Sequence, residues 1–248
     1  MTVEIVEVDR LECSFVDHRW DFAEECSARI ERNWQERRRA NPALYDGSVL
    51  LACRVERVIG EHGARTLRVS LFKTRFSYFL AWRDLGWPDK SIYNCFSMPA
   101  VRASDGAYLV GEMGPSHSFA GQLYFPCGTP DPSDIVAGGC VDLAGSLVRE
   151  LAEETGLAAA EANASANWTV IYDCQKIACV KRLDFAAPSH ALAAKVRAFL
   201  ATESAPELAD IRMVSSQEVL SDSRLPAFMV AYLARALGGT DEIPLGAG

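Results

Sequence analysis

Residues 142–157 read DLAGSLVRELAEETGL and carry the clearest structural signal in the chain. Asp142 is favourable at the start of a helix, because its carboxylate can accept a hydrogen bond from first-turn amides. Leu143, Leu147 and Leu151 recur at i, i+4 and i+8, which predicts one apolar stripe facing a core. Gly156 can adopt the left-handed conformation that ends a helix. The segment therefore predicts a helix of about 13 residues.

The same helix groups three carboxylates. Glu150, Glu153 and Glu154 lie at i, i+3 and i+4, so they project from one face and their charges repel one another. A hard divalent cation would relieve that repulsion, and an oxygen-rich site suits Mg²⁺ or Mn²⁺. Arg149 can pair with Glu153 at i+4 and hold the cluster in place. On spacing alone a solvated acidic face is the ordinary alternative, and the residues leave both interpretations open.

Residues 149–157, RELAEETGL, resemble the second half of the Nudix box, G-x5-E-x7-R-E-U-x-E-E-x-G-U, in which U is apolar. All nine positions match in register. Residues 124–128, YFPCG, resemble the F-P-G-G sequence at the start of the same loop, with Cys127 in place of the first glycine. The resemblance covers about residues 93–237 and implies an α/β fold, the Nudix α/β/α sandwich around a mixed sheet.

The resemblance also implies roles for particular residues. The family's metal-binding glutamates match Glu150, Glu153 and Glu154, and the arginine that orients them matches Arg149. Mg²⁺ or Mn²⁺ is then the implied cofactor, and the implied catalytic residues are Arg149, Glu153 and Glu154.

The first half of the box departs from the family's pattern. Counted without gaps, the box glycine falls on Ile135 and its glutamate on Val141. If the loop instead contains seven additional residues, Gly128 and Asp134 occupy those two places. We prefer the insertion, because the sequence from Phe125 to Gly128 marks its start and the helix cap marks its end. This interpretation predicts that Gly128 lies beside the carboxylates.

The implied activity is hydrolysis of the phosphoanhydride in a nucleoside diphosphate linked to another moiety. A weaker resemblance, to the UDP-glucose pyrophosphatase-like branch of the family, favours a UDP-sugar split into UMP and sugar 1-phosphate. A general base is needed, and the candidates are Glu153, Glu154 and two loop residues, Glu203 and Glu207. Either loop residue is otherwise an ordinary solvated carboxylate. The alternative function is a catalytically inactive nucleotide sensor or interaction module of the same fold, which the irregular loop favours.

The rest of the chain predicts an N-terminal extension over residues 1–92, the hydrolase domain over 93–240 and a tail over 241–248. The extension reads as a strand, a charged helix over 19–39 and a β-hairpin over 48–58 and 65–73. In the domain, strands are predicted at 93–102, 107–113, 122–125, 168–174, 176–185 and 208–214. Further helices are predicted at 189–202 and 226–237.

An aromatic patch near residue 80 contains Phe76, Tyr78, Phe79, Trp82 and Trp87. Packing in a core is the commoner role for such residues, but base stacking is an alternative. Nearby cationic groups suggest phosphate or nucleotide binding, with Arg75 and Arg83 as substrate candidates together with Gly128 of the loop; Lys73 is a weaker one. The segment 116–118, Ser-His-Ser, could touch a phosphate or be an ordinary polar loop.

Composition limits the partners. The chain is 248 residues long, 49% hydrophobic and 23% charged, with a net charge of −8. That charge argues against binding duplex nucleic acid and favours a small phosphorylated substrate bound through metal ions. No signal peptide or membrane span is predicted. Eight scattered cysteines with no Cys-x-x-Cys pair suggest reduced, mostly buried thiols in a cytoplasmic protein. The sequence leaves the oligomeric state open and is compatible with a homodimer.

Overall fold

The computed structural model describes residues 3–115 and 119–238, and in these ranges the chain forms two sheets with helices packed against them. The strands are β1 (Glu4–Val8), β2 (Arg10–Phe15), β3 (Ser48–Ile59), β4 (Arg65–Arg75), β5 (Asn94–Arg102), β6 (Tyr108–Met113), β7 (Leu123–Tyr124), β8 (Ala162–Ala164), β9 (Trp168–Asp173), β10 (Lys176–Phe185) and β11 (Leu208–Val214). The α-helices are α1 (Asp21–Glu25), α2 (Ser27–Ala40), α3 (Phe76–Asp84), α4 (Leu143–Thr155), α5 (Ser189–Leu200) and α6 (Ala227–Leu237).

The larger sheet is mixed and has the order β1-β9-β10-β5-β6-β11, with β7 paired to β6 and β8 to β10. Its centre is the parallel pair β5 and β10, and β5 is buried along almost its whole length. Strands covered on both faces carry such continuous apolar runs. Neighbouring residues of β5 point to opposite faces: the Phe96 ring packs against Phe228 of α6, whereas the Ser97 hydroxyl donates to the Leu143 carbonyl of α4. Helices therefore cover both faces, and the predicted α/β/α sandwich is confirmed.

The smaller sheet has the order β2-β4-β3 and forms the predicted extension together with α1, α2 and α3. Strands β3 and β4 make the predicted antiparallel hairpin, and β2 runs parallel to β4. A separate apolar core lies under this sheet and contains Trp82, Phe79 and Phe72, each at most 1% exposed. Strand β1 instead pairs with β9 of the larger sheet, so the N-terminal segment belongs to both layers.

The tail predicted at 241–248 and the segment 116–118 lie outside the described residues. Within the described ranges, no helix is long and apolar enough to cross a membrane. All eight cysteines are free thiols. Cys13, Cys95 and Cys179 are buried, Cys26, Cys53 and Cys127 are half-buried, and Cys140 and Cys174 are exposed, so burial is less general than the sequence suggested.

Helix α4 begins and ends where its sequence predicts. The Asp142 carboxylate accepts a hydrogen bond of 2.9 Å from the Gly145 N–H. Leu143, Leu147 and Leu151 are all buried in the main core. Gly156 has φ +67° and follows the last helical residue in the left-handed conformation. Both helix ends are therefore stabilised by their own residues.

Gly156→Ala should destabilise the protein by about 1 to 3 kcal/mol. The left-handed conformation costs an L-residue about 1–2 kcal/mol, and a Cβ at this position would lie 2.6 Å from the Phe199 ring. Urea unfolding measures the loss. The matched control is Gly60→Ala, where φ is −84° and the nearest atom would be 3.6 Å away. Equal stability of the two variants would contradict this account of the helix end.

Candidate functional site

The polar face of α4 presents its glutamates in three different environments. Glu154 is 3% exposed, and the side chain of Glu150 is 12% exposed. The side chain of Glu153 is 61% exposed. The three residues thus lie close together, as their spacing predicts, but only two of them are withdrawn from solvent. Burial of a carboxylate is costly unless a cation or hydrogen bonds compensate it.

The loop before α4 closes over these carboxylates. The Cys127 N–H donates to Glu154 Oε1 at 2.8 Å. Gly128 lies directly against Glu150, since a Cβ on it would be 2.5 Å from Glu150 Oε1. The position of Gly128 is the one that the insertion interpretation predicts. Burial, together with the negative charges of Glu154 and Glu150, raises the pKa of the Cys127 thiol well above its usual range, so the thiol is neutral.

Arg149 connects the loop to the helix. Its guanidinium donates to Asp134 Oδ1 at 2.9 Å and to Glu150 Oε1 at 2.8 Å, and it reaches Glu153 at 3.5 Å. Asp134 is itself buried and accepts the Asp131 N–H at 2.9 Å. Asp134 is the residue that the insertion places at the first box glutamate. In these hydrogen bonds it anchors Arg149 and does not contact the glutamates of α4.

A fourth glutamate, Glu207, adds to the three on α4. We call Glu150, Glu153, Glu154 and Glu207 the carboxylate cluster. Burial raises the pKa of Glu150 to about 7 against the opposing effect of Arg149. Burial, followed by the charge of Glu207, raises the pKa of Glu154 well above its usual range. Partial burial and the charge of Glu153 also raise the pKa of Glu207. These four groups share one region of excess negative charge.

One buried oxygen of the cluster, Glu154 Oε2, accepts no hydrogen bond from the residues that the structure describes. Native buried polar atoms are nearly always satisfied. The cluster thus has the donor type and the charge for a hard divalent cation. Nevertheless, among the described residues no three His, Cys, Asp or Glu side chains already stand in a metal-ligating arrangement. Arg149 partly neutralises the cluster in this state by pairing with Glu150 and Glu153.

The cluster borders a cavity of about 300 Å³, here called the cleft, which lies within the usual range for ligand sites. Glu150, Glu153 and Glu207 are among its lining residues, and Glu154 is buried on the same helix as Glu150 and Glu153. Its apolar walls are largely aromatic and include Phe76, Phe79, Phe96, Phe119, Tyr124 and Phe228. Further polar side chains also line it, namely Asn94, Thr129, Arg149 and Lys176.

A second cavity, of about 330 Å³, lies away from the cluster and is lined by Glu7, Arg182 and Arg235. Its charges are already paired, Arg235 with Glu7 at 2.6 Å and Arg182 with Asp184 at 3.2 Å. It therefore offers no excess charge comparable with that of the cleft.

Two predicted substrate residues do not line the cleft. Arg75 is exposed, pairs with Asp46 and lies over the Tyr78 ring at 5.7 Å. The Arg83 side chain is only 13% exposed and pairs with Asp84 at 3.1 Å. It lies 4.6 Å from the Phe119 ring, behind the cleft wall. Both arginines hold the extension together because each has an acidic neighbour, which the sequence interpretation did not consider.

The remaining candidate residues lie in different surroundings. Trp82 is fully buried and Trp87 packs edge-on against it at 4.4 Å, so packing prevails over base stacking at these two residues. Phe79, although also buried, contributes to the cleft wall. Glu203 and Glu207 are both exposed, but only Glu207 lines the cleft. Sequence reasoning missed Asn94 and Lys176, since neither belongs to a motif.

Comparison with known proteins gives similarity at the level of structure. No family model and no curated protein matches the chain. The chain is similar to a MutT protein from Methanosarcina mazei Go1, at 18% identity and a TM-score of 0.41, covering 60% of this chain and 96% of that one. It is also similar to the Nudix hydrolase RenU from M. smegmatis, at 19% identity and a TM-score of 0.39, covering 62% of this chain and 88% of that one. At these identities the similarity concerns the fold, and a Nudix hydrolase is thus among the solved structures that this chain resembles.

Proposed function

We propose that this chain is a metal-dependent pyrophosphohydrolase of the Nudix type. It cleaves the phosphoanhydride of a nucleoside diphosphate linked to another moiety, with a UDP-sugar as the preferred substrate. The observation that carries the proposal is the carboxylate cluster beside an aromatic cleft, in which a buried oxygen of Glu154 has no partner among the described residues. Such a cleft offers a charged end for a metal-bound diphosphate and an apolar end for a base.

The residues of the cluster fit a hard divalent cation, which Glu150, Glu153 and Glu154 would hold. When bound, the cation would neutralise negative charge on the diphosphate and activate a water molecule. Arg149 keeps Glu150 and Glu153 in position through its bonds to both and to Asp134. Because Gly128 has no side chain, the Glu150 carboxylate can lie directly against it.

Glu207 is our candidate for the general base. It lines the cleft at the residue before β11 begins, and its raised pKa makes its carboxylate a stronger base. Water adds across the P–O–P bond, so that a UDP-sugar gives UMP and sugar 1-phosphate. The aromatic walls exclude other water from the reacting end.

A catalytically inactive nucleotide sensor is the second candidate. Two observations favour it. Among the described residues, no three His, Cys, Asp or Glu side chains already stand in a metal-ligating arrangement, and Arg149 pairs with Glu150 and Glu153. In a sensor, the ion pairs of Arg149 with Glu150 and Glu153 would persist when the ligand binds. In the enzyme, both glutamates would bind the cation and give up part of their contact with Arg149.

A substrate panel separates the two candidates. We expect Mg²⁺- or Mn²⁺-dependent turnover of UDP-glucose and UDP-galactose, faster than that of ADP-ribose or a dinucleoside polyphosphate, with loss of turnover on chelation. The measurement is phosphate release after coupling to a phosphatase. Absence of turnover on every compound would favour the sensor. A clear preference for ADP-ribose or the polyphosphate would rule out the UDP-sugar while leaving the hydrolase.

A further inference from the structure

Lys176, the first residue of β10, carries its ammonium group to the wall of the cleft. The residue lines the cleft, and its side chain is 26% exposed. Its Nζ lies 5.1 Å from the centre of the ring of Phe228, which lines the cleft as well. The side chain therefore keeps accessible surface, and its charged end lies beside an aromatic wall of the cleft.

The two cations of the cleft differ in how many acidic partners they have. Among the described residues that line the cleft, these cations are Arg149 and Lys176. Arg149 is already bonded to three acidic side chains. Lys176 pairs with one carboxylate among the described residues, that of Asp173, at 2.7 Å. An ammonium has three N–H donors, so this salt bridge leaves others for a ligand.

Asp173 holds the ammonium from outside the cleft. It is the residue opposite Lys176 in the antiparallel pairing of β9 and β10. Its side chain is only 11% exposed, and the residue does not line the cleft. A side chain that is already held by a partner loses less conformational freedom when a ligand binds. The ion pair therefore prepares Lys176 for a ligand without taking up the cleft.

The other charges of the cleft indicate which ligand group suits this ammonium. Glu150, Glu153 and Glu207 also line the cleft, so an anionic ligand meets repulsion there unless cationic groups offset it. Lysine binds phosphate as a point charge, and hydrogen bonds between charged groups are about twice as strong as neutral ones. The aromatic walls can stack a base of any identity. Lys176 thus offers the polar contact that a nucleotide phosphate needs beside these rings.

We propose that the Lys176 ammonium binds a phosphoryl oxygen of the substrate directly. This inference rests on the proposed function and adds to it an anchor for the phosphate that needs no metal ion. Nζ donates one N–H to a non-bridging phosphoryl oxygen, while Asp173 keeps another. Lys176 is therefore a substrate-binding residue on β10, distant in sequence from the glutamates of α4.

Binding without catalysis tests this contact. Calorimetric titration with UMP and with uridine, in the presence of a chelator, compares ligands that differ only in the phosphate. The wild type should bind UMP at least about tenfold more tightly than uridine. Lys176→Met should weaken UMP binding at least about tenfold and uridine binding less than threefold. Equal binding of UMP and uridine by the wild type, or no binding of UMP at millimolar concentration, would overturn the inference.

A double variant separates a direct contact from an effect of overall charge. Lys176→Met leaves the Asp173 carboxylate without its ammonium, and the added negative charge would repel UMP by itself. Combining it with Asp173→Asn removes both charges, so the net charge stays that of the wild type. A direct contact predicts that the double variant still binds UMP at least about tenfold more weakly than the wild type. Recovery of UMP affinity to within threefold of the wild type would contradict the contact.

Lys195→Met is the matched control, because Lys195 is an exposed lysine that pairs with Glu161 and does not line the cleft. It should bind UMP as the wild type does, and an equal loss in this variant would reject a specific role for Lys176. Turnover of UDP-glucose with Mg²⁺ is measured separately. Preference for UMP without turnover would keep the contact and reject the hydrolase, whereas turnover without that preference would do the reverse.

Discussion

Glu154→Gln should lower turnover at least about 100-fold while leaving the protein as stable as the wild type or more stable. The substitution keeps the side-chain volume and one oxygen as the acceptor for the Cys127 N–H, while it removes the charge and replaces the other oxygen by an NH2 group. Loss of one well-placed electrostatic group in an active site costs about 100- to 1,000-fold in turnover. Steady-state kinetics with a UDP-sugar and saturating Mg²⁺ measures the effect.

The expected gain in stability follows from the direction of the pKa shift. A carboxyl whose pKa is raised on folding destabilises the folded state as the pH rises above its unfolded pKa. A neutral glutamine lacks this cost, so the free energy of unfolding at neutral pH should not fall. Mg²⁺ should raise the melting temperature of the wild type and have a smaller effect on the variant.

Glu161→Gln is the control for this prediction. Glu161 is an exposed glutamate paired with Lys195 at 2.8 Å and remote from the cleft. We expect its turnover to match that of the wild type, because an exposed ion pair contributes little. Turnover of Glu154→Gln within about threefold of the wild type would show that Glu154 binds no essential cation. A large loss of stability in that variant would instead mean that the carboxylate has a structural role.

Gly128→Ala should also lower turnover about 100-fold, for a steric reason. The new Cβ would lie 2.5 Å from Glu150 Oε1 and 2.7 Å from its carboxyl carbon. The end of the Glu150 side chain can move at little cost to stability, but it must then leave its position beside Arg149. Displacement of an active-site group by about 1 Å can reduce the rate about 100-fold. Kinetics and urea unfolding, measured together, should show an activity loss with a change of less than about 1 kcal/mol in stability.

Gly60→Ala serves as the matched control, because an added Cβ there makes only an ordinary contact at 3.6 Å and the residue lies far from the cleft along the β3–β4 connection. Its turnover should be that of the wild type. If Gly128→Ala keeps full activity, the Glu150 carboxylate is not needed where the structure places it. A loss of stability large enough to explain the loss of activity would assign Gly128 to folding alone.

Local interactions made much of the fold predictable from the sequence. Helix α4 was predicted with its start at Asp142 and its end at Gly156, because capping and left-handed backbone depend on residues within one turn. The β3–β4 hairpin and most strands of the larger sheet were also predicted, since alternation along a strand reflects its two faces. The positions of Gly128 and Asp134 followed from the spacing of the loop to α4, once seven inserted residues were allowed.

The distribution of charge in the cluster needed the tertiary structure. Spacing alone gives Glu150, Glu153 and Glu154 one face of a helix, but it does not say which of them the loop covers. The loop buries Glu150 and Glu154 and leaves Glu153 exposed. Glu207 joins from a distant part of the chain, and only the packing of β11 against β6 brings it there.

By itself the sequence determined the α4 helix, the shared face of its carboxylates and the layered α/β arrangement. Each of these depends on neighbouring residues or on a motif. The tertiary structure alone decided that Trp82 is buried in the extension and that Arg75 pairs with Asp46, because this burial and this ion pair depend on residues far away in sequence. It also brought Asn94 and Lys176 together, since the register of two parallel strands is set by the whole sheet and the helices that cover it.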